Sequence, residues 1–374
     1  MIDGSGLNDP VVAFYTDGGS VLVDGFTITR GFQATGGGVS VRLTGDAEVT
    51  VSNNRIIGNT ASSTVPGGGG VYFWPSGNGR FFLLDNLISG NTVVNTGSGG
   101  VSGGGVMLHP QDASSFTATG NRIENHVCTA PTHTAYGCGA YLYHDSTGSS
   151  EFSDNVIKRN RTETAAGDEV EGAGGQLIVS SNGNSLTARR NLWIDNRDVG
   201  TQEGYHVKFT CSGTGTLVSS DSVIAGGADI SVGAWSYDTS TLRLTNLTIF
   251  DHADLGVHYR GFGTESTLYN TIVYASATLT DLSGTNVTTG GNLLGIDPLF
   301  IGPGYWDCHL RAGSPALDAG DNSPPGGLGP TDADGNPRVL GGVVDVGAYE
   351  GVLTPLFEDG FESGSTSAWS LVAP

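Results

Sequence analysis

The stretch FFLLDNLISGN at residues 81–91 recurs along the chain with small changes. Each copy joins an alternating strand to an Asn-rich turn with a central isoleucine, replaced once by Trp193. The other long copies are VTVSNNRIIGN (49–59), FTATGNRIEN (116–125), FSDNVIKRN (152–160) and LTARRNLWIDN (186–196). Shorter copies are VSSDSVIAG (218–226), LRLTNLTIFD (242–251) and STLYNTIVYA (266–275). The apolar spacing is two residues, which predicts strands and argues against amphipathic helices.

A glycine run and a second alternating strand follow each copy after a loop. These second halves are GGGVSV (36–41), GGGGVYFW (67–74), SGGGVMLH (102–109), GCGAYLYH (137–144), GAGGQLIV (172–179) and EGYHVKF (203–209). The period is about 30 to 36 residues at first and about 22 to 27 later. Such short strands do not pair locally as hairpins, so we expect an all-β solenoid whose copies stack in parallel about 4.8 Å apart. The crossover rule predicts right-handed winding.

Stacking places equivalent side chains above one another. The expected inward isoleucine column is Ile56, Ile88, Ile123, Ile157, Trp193, Ile224 and Ile249. A second inward column holds Val71, Val106 and Ala140. An asparagine ladder is expected at Asn54, Asn86, Asn121, Asn155 and Asn191. Asparagine suits this turn because it tolerates the left-handed conformation and its amide can bond the next copy.

These repeats resemble the right-handed parallel β-helix repeats of the pectate-lyase-like superfamily, over roughly residues 2–295. That resemblance implies a right-handed parallel β-helix for a first domain at 1–295. The superfamily contains lyases, hydrolases, adhesins and phage tailspikes, so the fold alone selects no function. Met1 is followed at once by IDGSG, which reads as the middle of a repeat. We therefore expect a leader and a first coil to precede this sequence.

The chain is acidic, with 16 Lys+Arg against 37 Asp+Glu and a net charge of −21. Nucleic acid and anionic membranes are not expected as partners, because phosphate binding needs dense Lys and Arg. No apolar run approaches the roughly 18 residues of a membrane-spanning helix. Nothing in the sequence indicates oligomerisation, so a monomer is expected.

The four cysteines bear on the redox compartment. Cys128 and Cys138 flank the loop CTAPTHTAYGC at a separation that a disulfide can close, which indicates an exported protein. Cys211 and Cys308 remain as a possible second pair between solenoid and cap. Four buried free thiols in a cytosolic protein are the alternative. The lack of a CxxC motif argues against zinc.

Residues 296–351 change character and predict a small C-terminal cap. Four motifs carry the prediction: DPLF (297–300), HLRAGSPALDAGD (309–321), DADGNPR (332–338) and VDVGAYE (344–350). They resemble the choice-of-anchor Q domain of bacterial surface proteins, which implies attachment to the cell envelope. Such a cap is expected to cover the last coil. Asp332 and Asp334 are candidate Ca²⁺ ligands, and a structural network of these carboxylates with Arg338 is the alternative.

The tail at 352–374 contains LFEDGFESGSTSAWS (356–370), which resembles a short C-terminal motif of exported gammaproteobacterial proteins. It implies a recognition or sorting role, and an extracellular or surface location in a Gram-negative bacterium.

The strands after the glycine runs predict an outward stripe that binds extracellular polysaccharide or a cell-envelope component. One expected column is Arg42, Trp74, His109, Tyr143, Val179, Lys208, Gly233 and Arg260, and its neighbour is Ser40, Tyr72, Met107, Tyr141, Leu177, His206, Ser231 and His258. The candidate ligand-binding residues are Tyr72, Trp74, His109, Tyr141, Tyr143, His206, Lys208, His258 and Arg260. Aromatic faces stack on sugar rings and cations meet acidic groups. Loops folding over these aromatics to form a satellite core are the alternative.

A polysaccharide lyase acting on uronates is a second candidate function, with Lys208 as base and Arg260 as the cation that stabilises the enediolate. No carboxylate pair recurs in the outward columns, which argues against a hydrolase. Asp168, Glu169 and Glu171 form an acidic loop, read as solvated, with Ca²⁺ binding as the alternative. A non-catalytic adhesin or spacer is the third candidate.

Overall fold

The computed structural model describes residues 1–131, 133–164, 170–180, 183–199, 204–227 and 230–351. Its strands run in parallel from coil to coil and form three long sheets around one core. Within each coil the chain passes from sheet 1 through sheet 2 to sheet 3 and returns. The solenoid expected from the repeats is confirmed.

Sheet 1 follows the glycine runs and has the strands Val12–Thr16, Val39–Leu43, Val71–Phe73, Val106–Leu108, Ala140–Ser146, Gly175–Val179, Tyr205–Cys211, Ile230–Ser236, Leu255–Gly261 and Thr278–Gly284, with Gln111–Asp112 beside Ala140–Ser146. Sheet 2 has the strands Ser20–Asp24, Glu48–Ser52, Arg80–Leu84, Ser115–Thr119, Ser149–Ser153, Ser185–Arg189, Thr216–Ser220, Thr241–Thr245, Glu265–Tyr269 and Val287–Gly290. Sheet 3 has the strands Ile2–Asp3, Thr27–Thr29, Arg55–Ile57, Leu87–Ser89, Arg122–Glu124, Val156–Lys158, Leu192–Val199, Val223–Gly227, Thr248–Phe250, Ile272–Tyr274 and Leu293–Leu294.

Three smaller groups of strands complete the described chain. A side ladder continues sheet 3 with Phe32–Gln33, Thr60–Ser63, Thr92–Asn95, Val127–Ala130, Arg161–Thr164 and the end of Leu192–Val199. A rim sheet contains Val101–Ser102, Ala135–Tyr136 and Val170–Glu171. The C-terminal segment (296–351) holds an antiparallel pair, Phe300–Gly302 and Asp307–Leu310, joined by the 3₁₀ turn Pro303–Tyr305.

The inward columns lie where the repeat predicts. The isoleucine column is in register from strand to strand of sheet 3 and is fully buried, with Trp193 in line between Ile157 and Ile224. Val71, Val106 and Ala140 are paired in the same way in sheet 1. Each buried side chain removes apolar surface worth roughly 1.5–3 kcal/mol from water, so the stacked columns are the main source of stability.

Trp193 is accommodated by a glycine on the facing strand. Gly175 takes the inward position that Val71, Val106 and Ala140 hold in earlier coils. A Cβ at Gly175 would lie 2.4 Å from the Trp193 ring, so the glycine provides the space that the indole fills.

The asparagine ladder is confirmed and lies at the turn between sheets 2 and 3. The side-chain amide of Asn86 donates to Oδ1 of Asn121 at 3.0 Å, and Asn121 donates in turn to Asn155 at 3.0 Å. The left-handed conformation falls on the residue before each ladder asparagine, such as Asn53 and Asp85, and the expectation that the ladder residues adopt it was wrong. Burial of the ladder amides explains this placement, since they must face the next coil while the preceding residue makes the bend.

A second ladder at the next corner was not predicted. It contains Asn59, Asn91, His126, Asn160 and Asn196, all buried and hydrogen-bonded from coil to coil. Its signal was visible in the sequence as the asparagine that closes each copy, with His126 as the exception.

The rim sheet and the disulfide stabilise the corner between the side ladder and sheet 1. Cys128 and Cys138 form the expected disulfide, with Cα atoms 5.7 Å apart. Both half-cystines lie in a small apolar cluster with Val93, Val101 and Val170. The long loops of the early coils therefore bury a satellite core of their own.

The C-terminal segment lies beside the solenoid. Phe300, Val346 and Tyr349 pack with Phe250 and Ile272 from the outer face of sheet 3. The last coil, which the cap was expected to cover, leaves Leu282 and Leu294 exposed. The outer face of sheet 3 is apolar in the later coils, and this is the surface that the segment removes from water.

Arg338 fixes the segment to the solenoid and is 2% exposed. Its guanidinium lies 3.6 Å from Asp221 of the solenoid and 3.3 Å from Glu350, and it donates to the carbonyls of Gly347 and Ala348. Burial of a charge requires such partners.

The possible pairing of Cys211 with Cys308 was wrong. Both are buried free thiols, and Cys211 lies in the solenoid core while Cys308 lies within the C-terminal segment, in the cluster that faces sheet 3. The fold separates them by placing the two thiols in different apolar clusters.

Candidate functional site on the outer face of sheet 1

The strand register of sheet 1 defines two outward columns. The first holds Ser40, Tyr72, Met107, Tyr141, Gln176, Lys208, Gly233, His258 and Asp281. The second holds Tyr15, Arg42, Tyr143, Ile178, Thr210, Trp235, Arg260 and Ser283, and Trp74 and His109 continue the chain beyond their strands on the same side. The structure thus brings eight of the nine predicted binding residues to one face.

His206 was wrongly placed on this face, as were Leu177, Val179 and Ser231. All four are buried. Counting from the last glycine of GAGG shifts the register by one, because Gly175 is itself an inward strand residue. His206 occupies the corner position of the last glycine in earlier coils, and its ring meets the Asn196 amide at 2.7 Å. Burial lowers the pKa of His206 well below its ordinary value, so the ring is neutral and structural.

We call Tyr72, Trp74, His109, Tyr141 and Tyr143 the aromatic row. Ring centroids are 4.3 Å apart between Trp74 and His109, 4.6 Å between His109 and Tyr143, and 6.3 Å between Tyr143 and Tyr141. The spacing follows from the coil rise of about 4.8 Å. Aromatic pairs at these distances stabilise one another and hold the ring planes in place.

The aromatic row is partly covered. Its exposed residues fit the ligand-binding interpretation, and its buried residues fit the alternative of a satellite core beneath loops. Tyr72 is 5% exposed and burial raises its pKa to about 12, whereas Trp74 is 37% exposed. Tyr136 of the rim sheet packs on Tyr141 with ring centroids 6.1 Å apart. The row therefore has a buried base at Tyr72 and an open edge at Trp74.

Two polar groups of the aromatic row bear on ligand binding, the His109 ring and the Trp74 indole N–H. Burial lowers the pKa of His109 to about 4, so its ring is neutral near pH 7. Its Nε2 has no hydrogen-bond partner among the described residues. The indole N–H of Trp74 donates to Gln111 Oε1 at 2.9 Å. A buried polar atom without a partner is costly, and a bound hydroxyl would satisfy it.

We call Glu171, Tyr205, Lys208, Trp235 and His258 the lysine cluster. The Lys208 ammonium lies 2.7 Å from the Glu171 carboxylate and 4.5 Å from the centre of the Trp235 ring. Tyr205 packs edge-on against Trp235 at 5.2 Å. Sequence reasoning found Lys208 and His258 but missed Tyr205 and Trp235, because the expected columns followed other residues of the same two strands.

His258 connects the lysine cluster to the last coil. The Tyr205 hydroxyl lies 3.1 Å from His258 Nδ1, and Nε2 lies 3.7 Å from an Asp281 carboxylate oxygen. Arg260 lies in the neighbouring column and donates to Ser283 Oγ at 3.2 Å. Asp281 was not predicted, because nothing in the sequence pattern identifies the last coil as part of the site.

The candidate calcium ligands are engaged in other interactions. Asp332 is buried and accepts the backbone N–H groups of Asp334, Asn336 and Glu350. Asp334 meets the His309 ring at 2.7 Å. Within the described ranges, no group of three or more His, Cys, Asp or Glu residues is arranged to hold a metal ion. The expected network partner of Arg338 also differs, since Asp221 and Glu350 take the place of Asp332 and Asp334. Of the acidic loop, Asp168 and Glu169 lie outside the described residues.

Residues 8–184 match the family model of the right handed beta helix region. The solenoid has the fold of a right-handed parallel β-helix. The match covers the aromatic row and ends before Tyr205 and Lys208 of the lysine cluster. Neither the curated proteins nor the solved structures contain a significant match to the chain. Over the described residues, no helix has the length and apolarity needed to cross a bilayer. The resemblance of 296–351 to a choice-of-anchor domain stays a prediction, as does the sorting role of the tail (352–374), which lies outside the described residues.

Proposed function

We propose that this β-helix is an exported or surface-displayed protein that binds an extracellular polysaccharide along the outer face of sheet 1. The observation that carries the proposal is the aromatic row, in which Trp74, His109 and Tyr143 follow one another at one ring per coil. A linear glycan lying along the solenoid axis would meet a stacking surface about every 4.8 Å.

Two further observations support a carbohydrate ligand. The open edge of the row is polar as well as aromatic, with the Trp74–Gln111 hydrogen bond and the unpaired His109 Nε2. The lysine cluster adds a cation at the other end of the face, in a protein that has only two lysines. Sugar hydroxyls and an acidic substituent would match these groups.

Export is supported by the Cys128–Cys138 disulfide, because such bonds persist in oxidising compartments. Display at a Gram-negative envelope is supported by the motifs of residues 296–351 and of the tail.

A polysaccharide array tests the binding function. Native protein should retain one or more linear glycans, and Trp74→Ala and Tyr143→Ala should each lower the affinity about fivefold. Phe32→Ala is the matched control, since Phe32 is an exposed aromatic residue of the side ladder. Equal retention by all variants, or no retention of any glycan, would reject the proposal.

A uronate-specific lyase is the second candidate, and one observation favours it. Tyr205, His258 and Asp281 form a chain of hydrogen-bonding and charged groups beside Lys208, which suits proton transfer. Lys208 itself is held in an ion pair, whereas a lysine base normally stands in an apolar pocket. Tyr205 and His258 are therefore better placed as acid and base than Lys208 and Arg260.

Incubation with pectin, alginate and glycosaminoglycans tests the lyase. β-Elimination would release unsaturated uronides that absorb in the ultraviolet, and Tyr205→Phe should abolish them while leaving binding intact. No absorbance change with any of these substrates would remove this candidate and leave a binding protein, adhesin or spacer.

A further inference from the structure

A cleft of about 380 Å³ lies between the C-terminal segment and the outer face of sheet 3. Its solenoid wall includes Val156, Leu192 and Val223, and its other wall includes Trp306 and Tyr349. Tyr305 stands at its edge and is 90% exposed. The cleft adjoins the interface between the C-terminal segment and sheet 3, and it lies on the side of the earlier coils.

The apolar wall begins where the chemistry of sheet 3 changes. One outward column reads Arg55, Leu87 and Arg122 in the early coils and continues without a charge through Val156, Leu192 and Val223. The C-terminal segment covers Val223, and Leu192 packs partly against the same cluster, while Val156 on the preceding coil is half-buried outside it. The solenoid therefore presents one more apolar coil than the segment covers.

Cations surround this uncovered surface. The cleft contains Lys158 and Arg159, and an adjoining hollow contains Arg159, Arg161 and Arg197. Four of the chain's 16 basic residues thus lie here, and three of them are ion-paired, Lys158 with Glu124, Arg161 with Glu163 and Arg197 with Asp195. The Arg159 side chain is exposed and makes no hydrogen bond or ion pair with the described residues. In a protein of net charge −21, this guanidinium favours an acidic occupant.

We propose that the tail (352–374) of the same chain binds in this cleft. The tail has three carboxylates, Glu358, Asp359 and Glu362, three aromatic residues and neither lysine nor arginine. Tyr349 lines the cleft two residues before the described chain ends at Gly351. Eight residues separate Tyr349 from Phe357, which spans up to roughly 26 Å when extended. Attachment to the same chain gives the tail a millimolar effective concentration at the cleft.

The occupancy has a consequence for the tail. Its aromatic and acidic residues are withdrawn from other partners while it lies in the cleft, and a binder of the tail must compete with the arginines. High ionic strength weakens the docking, because it depends on exposed charges.

Photocrosslinking of the full chain tests the proposal. Tyr305 is replaced by p-benzoylphenylalanine, which its exposure allows without disturbing the core, and crosslinked peptides are mapped by mass spectrometry after irradiation at low protein concentration. The expected product is an intrachain crosslink to residues 352–374. Arg159→Ala with Arg161→Ala should lower its yield about fivefold, and Arg80→Ala, an exposed arginine of sheet 2, should leave it unchanged.

Three results would overturn the inference. Crosslinks between two chains would show that a second copy occupies the cleft. Crosslinks confined to residues 156–351, or none at all, would show that the tail does not reach it. An unchanged yield in the double arginine variant would remove the charge argument. None of these outcomes depends on glycan binding at sheet 1, so failure here is distinct from failure of the proposed function.

Discussion

The early coils of this β-helix are long and the late coils are short. Successive ladder asparagines are 32, 35, 34 and 36 residues apart between Asn54 and Asn191, whereas the equivalent spacing falls to 31 at Ser222 and then to 24 and 21 between Leu247, Thr271 and Asn292. The additional residues of the early coils build the side ladder, the rim sheet and the disulfide-linked cluster. The late coils lack these elements within the described residues, and the C-terminal segment covers their sheet 3 instead.

The early and late coils therefore have different parts of their surface covered, and different segments of the chain cover them. The early half buries apolar surface with its own loops, and the late half depends on a segment that follows it in sequence. Neither arrangement covers the open edge of the aromatic row, whereas Glu171 of the rim sheet pairs with Lys208 and partly covers the lysine cluster. Sheet 1 is the face that both halves leave for other contacts, which agrees with the proposed binding function.

The largest effect is expected from Arg338→Met, which should detach the C-terminal segment from the solenoid. It leaves the buried carboxylates of Asp221 and Glu350 without their cation, which costs about 3–5 kcal/mol. Hydrogen exchange should show loss of protection in residues 296–351 and in the outer face of sheet 3. Residues 49–160 should keep theirs, because coils couple mainly to their neighbours. Arg311→Met, at an exposed arginine, is the control, and equal protection in both variants would contradict the anchoring role.

The late half should also respond to pH. Burial raises the pKa of Glu350 from 4.5 to about 7, and burial likewise raises the pKa of Asp345. A folded state that holds the proton more tightly than the unfolded chain is stabilised at low pH and loses that stability as pH rises from about 4.5 to 7. The change for Glu350 is on the order of 3 kcal/mol, since each pKa unit is worth about 1.4 kcal/mol.

The titration of His309 should also lower the stability of the late half as the pH rises. Burial alone would lower its pKa, but its hydrogen bonds to Asp307 and Asp334 raise it. Protection of residues 296–351 should thus fall between pH 5 and pH 8, and Glu350→Gln should flatten the curve. Protection that rises with pH would contradict the assignment.

Reducing the disulfide should affect the early half alone. A bond that closes ten residues is worth about 2–3 kcal/mol. Reductant should lower exchange protection in residues 92–171 and leave 296–351 unchanged. The variant with Cys128→Ala and Cys138→Ala serves as control, because it should show the lower protection with and without reductant. A global loss of structure would mean that the two halves are coupled more tightly than their contacts indicate.

The sequence predicted the features that repeat. The isoleucine column and the ladder from Asn54 to Asn191 could be predicted because every coil fills the same inward position and makes the same turn. Gly175 could not be read in this way, since a glycine in a run looks the same whether it makes the turn or fills an inward position. The position of the C-terminal segment was not predicted, because the sequence alone does not show which outer face of the solenoid is apolar enough to bind it.

The smallest expected effects separate the two ends of sheet 1. Trp74→Ala removes an open stacking surface from the aromatic row and should weaken binding of neutral and acidic glycans alike, by about 1 kcal/mol. Trp235→Ala removes the ring against which the Lys208 ammonium lies, so it should weaken acidic glycans more than neutral ones. Raising the salt concentration should reduce the difference between acidic and neutral glycans for native protein, since the charged contact is screened. Lys208→Met should show only a small difference at every salt concentration. If both tryptophan variants lost the same glycans to the same extent at every salt concentration, the outer face would be one uniform stacking surface, and the lysine cluster would have no part in choosing the ligand.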